Sequence, residues 1–175
     1  LEMLHNAFLV HDDIEDGSES RRGEPAMHQR EGIPIALNAG DAMNALSMRL
    51  FRTAGGHLGP EGADHIFTEV DHLLTETLEG QAMELGWIRD NARIGSDDYL
   101  RLVLKKTAWY TFIHPIRIGA LIAQGDATDL SRFNRFGFLL GLAFQIRDDV
   151  INLDSATEYG KELDGDLWEG KRTLV

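Results

Sequence analysis

Carboxylates crowd two stretches of this chain. In Phe8–Asp16, read FLVHDDIED, a helix would place Phe8, Asp12 and Asp16 on one stripe a turn apart, with Asp13 beside Asp12. Near the other end Phe144, Asp148 and Asn152 repeat that four-residue step, with Asp149 beside Asp148 and Gln145 one turn below Asp149. Each face is an acidic rim over an aromatic floor, and two such rims facing one another would hold divalent ions. Magnesium suits them, because it takes oxygen ligands in octahedral geometry and commonly combines one or two carboxylates with waters and substrate phosphate oxygens. Sparse clusters therefore fit a diphosphate carried by several magnesium ions better than a closed protein cage. A calcium loop starting at Asp12 fails on spacing, since Ile14 stands where an oxygen ligand is needed. Solvated acids at a helix end would explain either cluster by itself; a pair, each with phenylalanine one turn below, favours metal.

Cations complete that chemistry. Arg21, Arg22, Lys106, Lys161 and Lys171 can pair with phosphate oxygens, the arginines through two parallel bonds. Lys105 is read as solvated surface. His11 and His28 are ligands by type, but a single histidine beside hard-oxygen chemistry argues against that role. Trp109, Tyr110 and Phe112 read as core or pocket wall.

These residues need helices to carry them. Leu1, Leu4, Phe8 and Asp12 share one helical face, and residues 17–25 form a loop by their Gly, Ser and Pro content. Pro34 starts a helix running to about Phe51, followed by a glycine-rich turn over 53–62. From Ala63 to Leu85 apolar residues keep helical period, and residues 89–95 break it. Ser96, with Asp97 and Asp98 behind it, reads as the cap of the next helix, which kinks at Pro115. A last long helix covers Leu130 to about Leu153 and carries the second acidic stretch. Gly160, Gly165 and Gly170 then punctuate a segment read as a mobile flap with Lys161, Lys171 and Arg172. No strand is expected.

With 175 residues, 43% of them hydrophobic, the chain supports one domain over 1–175 with a real core. Its net charge of −12 argues against a nucleic-acid surface. Zero cysteines exclude thiolate metal sites and cysteine nucleophiles. No apolar run approaches the roughly 20 residues that cross a bilayer, and no signal peptide opens the chain, so a cytoplasmic protein without a transmembrane segment is expected. The first residue already lies inside a periodic segment without a cap, which reads as an internal fragment truncated at both ends.

HDDIED, the SxSRRGxPxxH pattern of Ser18–His28, GQxxE of Gly80–Glu84, Lys106-Thr107, FQIRDDVIN of Phe144–Asn152, Gly160-Lys161 and GDLWEGKRT of Gly165–Thr173 follow in one order. Together they resemble the trans-isoprenyl diphosphate synthases, the geranylgeranyl type most closely. The resemblance implies an all-α isoprenoid synthase-type bundle around a central cavity, with its terminal helices missing here, and a homodimer. It implies that Asp12, Asp13, Asp16, Asp148 and Asp149 bind three magnesium ions on an allylic diphosphate, with Asn152 in the place of a third aspartate. Arg21, Lys106 and Lys161 match positions that bind the same diphosphate, and Arg22 one that binds isopentenyl diphosphate. Thr107 and Gln145 match residues beside the developing allylic cation.

The expected activity is magnesium-dependent condensation of isopentenyl diphosphate with an allylic diphosphate, giving a short linear product whose length Phe8 limits. A class I terpene cyclase is the alternative enzyme, but the acid it would want in the second motif falls on Ala156. A non-catalytic subunit of a heteromeric synthase is the other alternative, although both acidic motifs are kept. Ala108-Trp109-Tyr110 stand where the family has small residues after Lys-Thr.

Overall fold

The computed structural model describes residues 1–125, 129–153 and 165–174, so Lys161 and much of the expected flap lie outside the described residues. Two compact units result: Leu1–Phe51 with Val150–Gly170, and Arg52–Asp149 with Lys171–Val175. The all-helical expectation holds apart from one small ribbon.

In the first unit, helix α1 (Glu2–Asp16) stops at Gly17, whose φ of 71° only glycine adopts without strain; its N–H closes the last turn onto the Asp13 carbonyl. That turn carries the first acidic motif. The expected loop then pairs as a ribbon, β1 (Ser20–Arg21) against β2 (Glu24–Pro25). Arg22 and Gly23, with φ of 58° and 79°, make the tight turn between them, a geometry that matches strand twist. Two-residue strands leave no apolar alternation to read, which is why the sequence conceals them. Helices α2 (Met27–Glu31) and α3 (Ile33–Gly55) follow. Gly40 of α3 lies under the His11 ring, where a Cβ would stand 2.3 Å from Nε2. Leu4, Ala7, Ala26 and Ala36 are buried in this unit.

The second unit is built on α4 (Gly59–Arg89), whose buried Ile66, Val70, Leu73, Thr77, Gly80 and Glu84 recur every three or four residues. The expected turn over 53–62 shrinks to a tight 3-10 turn, Gly56–Leu58, because its glycines serve close packing: a Cβ at Gly55 would meet that of Ala63 at 3.1 Å. Helix α5 (Ser96–Leu102) is capped by Gly95 rather than Ser96, with the Gly95 N–H donating to Asp98 Oδ2 at 2.9 Å. Around Pro115, where a kink is expected, the structure shows a change of helical winding instead. Val103–Ile113 winds as a π-helical segment, and the His114 N–H bonds the Trp109 carbonyl before α6 (His114–Gln124) begins with Pro115 in its first turn. Proline offers no N–H to the preceding turn, so the register widens upstream of it.

Helix α7 (Asn134–Asn152) follows a turn capped by Asp129. Gly137 and Gly141 let it press on the π segment: a Cβ at either would lie 2.6 Å from Ile113 Cγ1 or 2.7 Å from Ala108 Cβ. Gly80 does the same from α4, so both helices grip the segment that carries Lys106 and Thr107. A short helix α8 (Gly165–Glu169) lies in the first unit. No helix among the described residues is long and apolar enough to cross a membrane.

Candidate functional site

The last turns of α1 separate the roles of neighbouring aspartates. Asp13 is buried, and Arg21 from the ribbon donates to its Oδ1 through Nε at 2.8 Å and through Nη2 as well. The same Nη2 reaches Asp12 Oδ2 at 3.4 Å. Burial pulls the Arg21 pKa down, but the bond and charge of Asp13, then those of Asp12, hold it above its ordinary value. Asp12 and Asp16 remain a turn apart and half-buried. Asp16 borders a cavity of about 420 Å³ that also touches Ser18, Glu19, Trp168 and Glu169. Ser18 Oγ donates to Glu169 Oε1 at 3.3 Å, which ties the residue after the motif to α8. Arg22 is exposed at the ribbon's tip, and Phe8 is half-buried beside a fully buried Ala7. The Asn152 Oδ1 accepts the Asp166 N–H at 3.2 Å.

In the second unit the π segment aims Lys106 at Glu84, and the two form an ion pair. Lys105 is not solvated surface as expected: it reaches Glu76 at 2.9 Å and Glu79 at 2.7 Å, because the widened turn turns adjacent lysines toward the same carboxylate row on α4. Thr107 Oγ1 donates to Gln145 Oε1 at 2.7 Å, and Gln145 Nε2 donates to Asp149 Oδ1 at 2.9 Å. Asp148 and Lys171 are half-buried. Arg172 bonds the Asn91 side-chain oxygen.

Sequence reasoning passed over two features. Tyr99 donates to Asp149 Oδ2 at 2.5 Å from fifty positions away, a separation that leaves no local signal. Glu69, His114, His72 and Arg117 form a polar network in which His114 Nδ1 lies 2.7 Å from Glu69 Oε2 and Arg117 Nη2 donates to Glu69 Oε1 at 2.6 Å. Trp109 packs on it, with its ring 5.0 Å from that of His114, as wall rather than cage.

Among the described residues no three His, Asp or Glu side chains gather into a metal cage of their own. Within the first unit Asp12 and Asp16 offer carboxylate oxygens one turn apart, a sparse donor set of the kind that magnesium completes with waters and phosphate oxygens.

The family model described as Polyprenyl synthetase matches residues 1–175. The chain belongs to this family. It is 37% identical to a geranylgeranyl diphosphate synthase of Sulfolobus acidocaldarius, over 100% of this chain and 53% of that protein. It is 34% identical to a nonaprenyl diphosphate synthase of Mycobacterium tuberculosis, over 99% of this chain and 49% of that protein. A solved geranylgeranyl pyrophosphate synthase from Corynebacterium glutamicum, complexed with isoprenyl diphosphate and magnesium, is similar at a TM-score of 0.86 and 28% identity, covering 98% of this chain and 52% of that one. The family membership read from the motifs, and the isoprenoid synthase fold it implied, are borne out. The chain spans about half the length of the curated relatives it matches.

Proposed function

We propose that this chain carries the ionisation half of a prenyltransferase that condenses isopentenyl diphosphate with an allylic diphosphate into a linear product of farnesyl to geranylgeranyl size. The observation that carries this reading is the run from Thr107 through Gln145 beside the Lys106–Glu84 pair. It combines neutral oxygen dipoles with an ammonium group, as an ionising allylic diphosphate requires.

Bound magnesium would supply charge neutralisation for the leaving diphosphate, held by Asp12, Asp16 and Asp148. Lys106, Lys161, Lys171 and Arg21 add positive charge around the same group. The allylic carbon–oxygen bond breaks with its electron pair on the diphosphate. Thr107 donates to Gln145 Oε1, which leaves lone pairs on both oxygens to face the resulting cation. The double bond of isopentenyl diphosphate, anchored by Arg22, attacks to form the new carbon–carbon bond, and a proton leaves to the departing diphosphate. No protein nucleophile is needed.

We also assign a homodimer and a cytoplasmic setting. Exposed Ile35, Leu46 and Leu50 of α3 are apolar surface of the kind subunit contacts cover, and sedimentation of the full-length protein tests it. The activity is tested by incubating full-length protein with labelled isopentenyl diphosphate, several allylic primers and magnesium. A linear prenyl diphosphate is expected; a cyclic hydrocarbon, or no turnover without a second protein, overturns the assignment.

A further inference from the structure

Tyr99 heads the large side chains that are almost completely buried, being 1% exposed, yet it is a phenol rather than a hydrocarbon. A buried hydroxyl needs a partner. It has one in Asp149 Oδ2 at 2.5 Å, and Asp149 is itself buried at 4% exposure. The other carboxylate oxygen accepts from Gln145 Nε2 at 2.9 Å, and Gln145 Oε1 accepts from Thr107 Oγ1 at 2.7 Å. The chain of bonds links α5, α7 and the π segment within one unit.

Its direction is fixed by chemistry. An ionised carboxylate only accepts, so Asp149 holds the nitrogen end of the Gln145 amide and leaves the oxygen end to meet Thr107. A glutamine amide is roughly twofold about its last torsion, and nothing in its own covalent structure prefers that orientation. Tyr99 stops Asp149 from swinging off. Each Asp149 oxygen accepts one of these bonds, one from Tyr99 and one from Gln145, which holds the carboxylate in a single orientation, while Asp148 next to it stays half-buried.

We propose that Tyr99 is a positioning residue for prenyl transfer: acting through Asp149, it sets the Gln145 amide so that its oxygen and Thr107 jointly face the developing allylic cation. This rests on the prenyltransferase reading given above. Tyr99 touches no substrate, so its removal should slow ionisation without loosening substrate or metal.

The test uses full-length protein with Tyr99→Phe, Gln145→Leu, both together, and Asp149→Asn. Tyr99→Phe is expected to lower kcat about 30-fold, with KM for both diphosphates and the magnesium half-saturation within about twofold. In the Gln145→Leu background the same change should cost less than about twofold, because its route of action is gone. Asp149→Asn, which can still accept from Gln145, should lose about fivefold in kcat at an unchanged magnesium half-saturation. A crystal structure of Tyr99→Phe should show the Gln145 amide turned from Thr107. Full additivity of the two substitutions, or a tenfold rise in the magnesium requirement of Asp149→Asn, overturns the proposal. Wild-type protein inactive with every primer sinks the prenyltransferase reading instead. In that case the crystal structure reads the geometry alone: a Gln145 that keeps its Thr107 bond beside Phe rejects the positioning role as well, and one that turns away shows Tyr99 orienting Gln145, but not for prenyl transfer. Should Tyr99→Phe not fold, the magnesium titration of Asp149→Asn decides between the two roles of Asp149.

Discussion

Gly80 and Lys106 meet backbone against backbone: a Cβ on Gly80 would stand 2.5 Å from the Lys106 amide nitrogen and 2.8 Å from its Cα. The obstacle is main chain, which cannot rotate aside. Gly80→Ala should therefore shift the π segment and cost about 2 kcal/mol of stability, read by urea denaturation. Because Lys106 and Thr107 ride on that segment, kcat should fall with it. An alanine variant as stable as wild type would contradict the contact.

Arg21 is the partner of a buried carboxylate. Arg21→Met leaves Asp13 without its guanidinium and should cost about 3 kcal/mol, measured by thermal unfolding. Arg21→Lys should recover only part, because one ammonium cannot reproduce the Nε and Nη2 bonds and the reach to Asp12.

The Glu69–His114–His72 chain predicts an acid-sensitive stability. Burial, followed by the charges of His114 and Arg117, holds the His72 pKa below its ordinary 6.5 against the opposing pull of Glu76 and Glu69. Burial, more than the arginines nearby, likewise lowers His5. Such groups bind protons more readily unfolded than folded, so their contribution is complete above about pH 6.5 and is lost as pH falls through the lower folded values. Melting temperature should drop between pH 7.5 and 5, and His72→Gln should flatten part of that slope. Glu69 adds a separate step: burial pushes it up, but the bonds from His114 and Arg117 bring it below its ordinary 4.5, so its share fails only at lower pH.

The proposed metal site predicts that magnesium with inorganic diphosphate raises the melting temperature more than magnesium alone, because a ligand held only by the folded protein stabilises it. At a hundredfold excess over Kd the gain is about 2.7 kcal/mol. A melting point indifferent to both, by scanning calorimetry, would count against the site.

Phe8 sits one turn below Asp12 and half-buried, with Ala7 fully buried at its side. Phe8→Ala in the full-length enzyme should lengthen the products resolved by chromatography. An unchanged chain length would remove Phe8 as the limit.

Much of this protein could be read from residue order. The α4 stripe was legible because burial recurs with helical period, and Asp12 with Asp16 were legible as a pair because four residues is one turn. Motif order alone placed the chain in its family. The tertiary structure decided which of those residues are already spoken for. Adjacent lysines look alike in a sequence, yet the π winding gives Lys106 to Glu84 and Lys105 to Glu76 and Glu79. Adjacent aspartates look alike too, but Arg21 takes Asp13, and Tyr99 with Gln145 takes Asp149. Residue spacing encodes what lies along one helix. It does not encode which buried donor from a distant helix reaches a given oxygen, because that depends on how closely glycines such as Gly80 and Gly141 let the backbones approach.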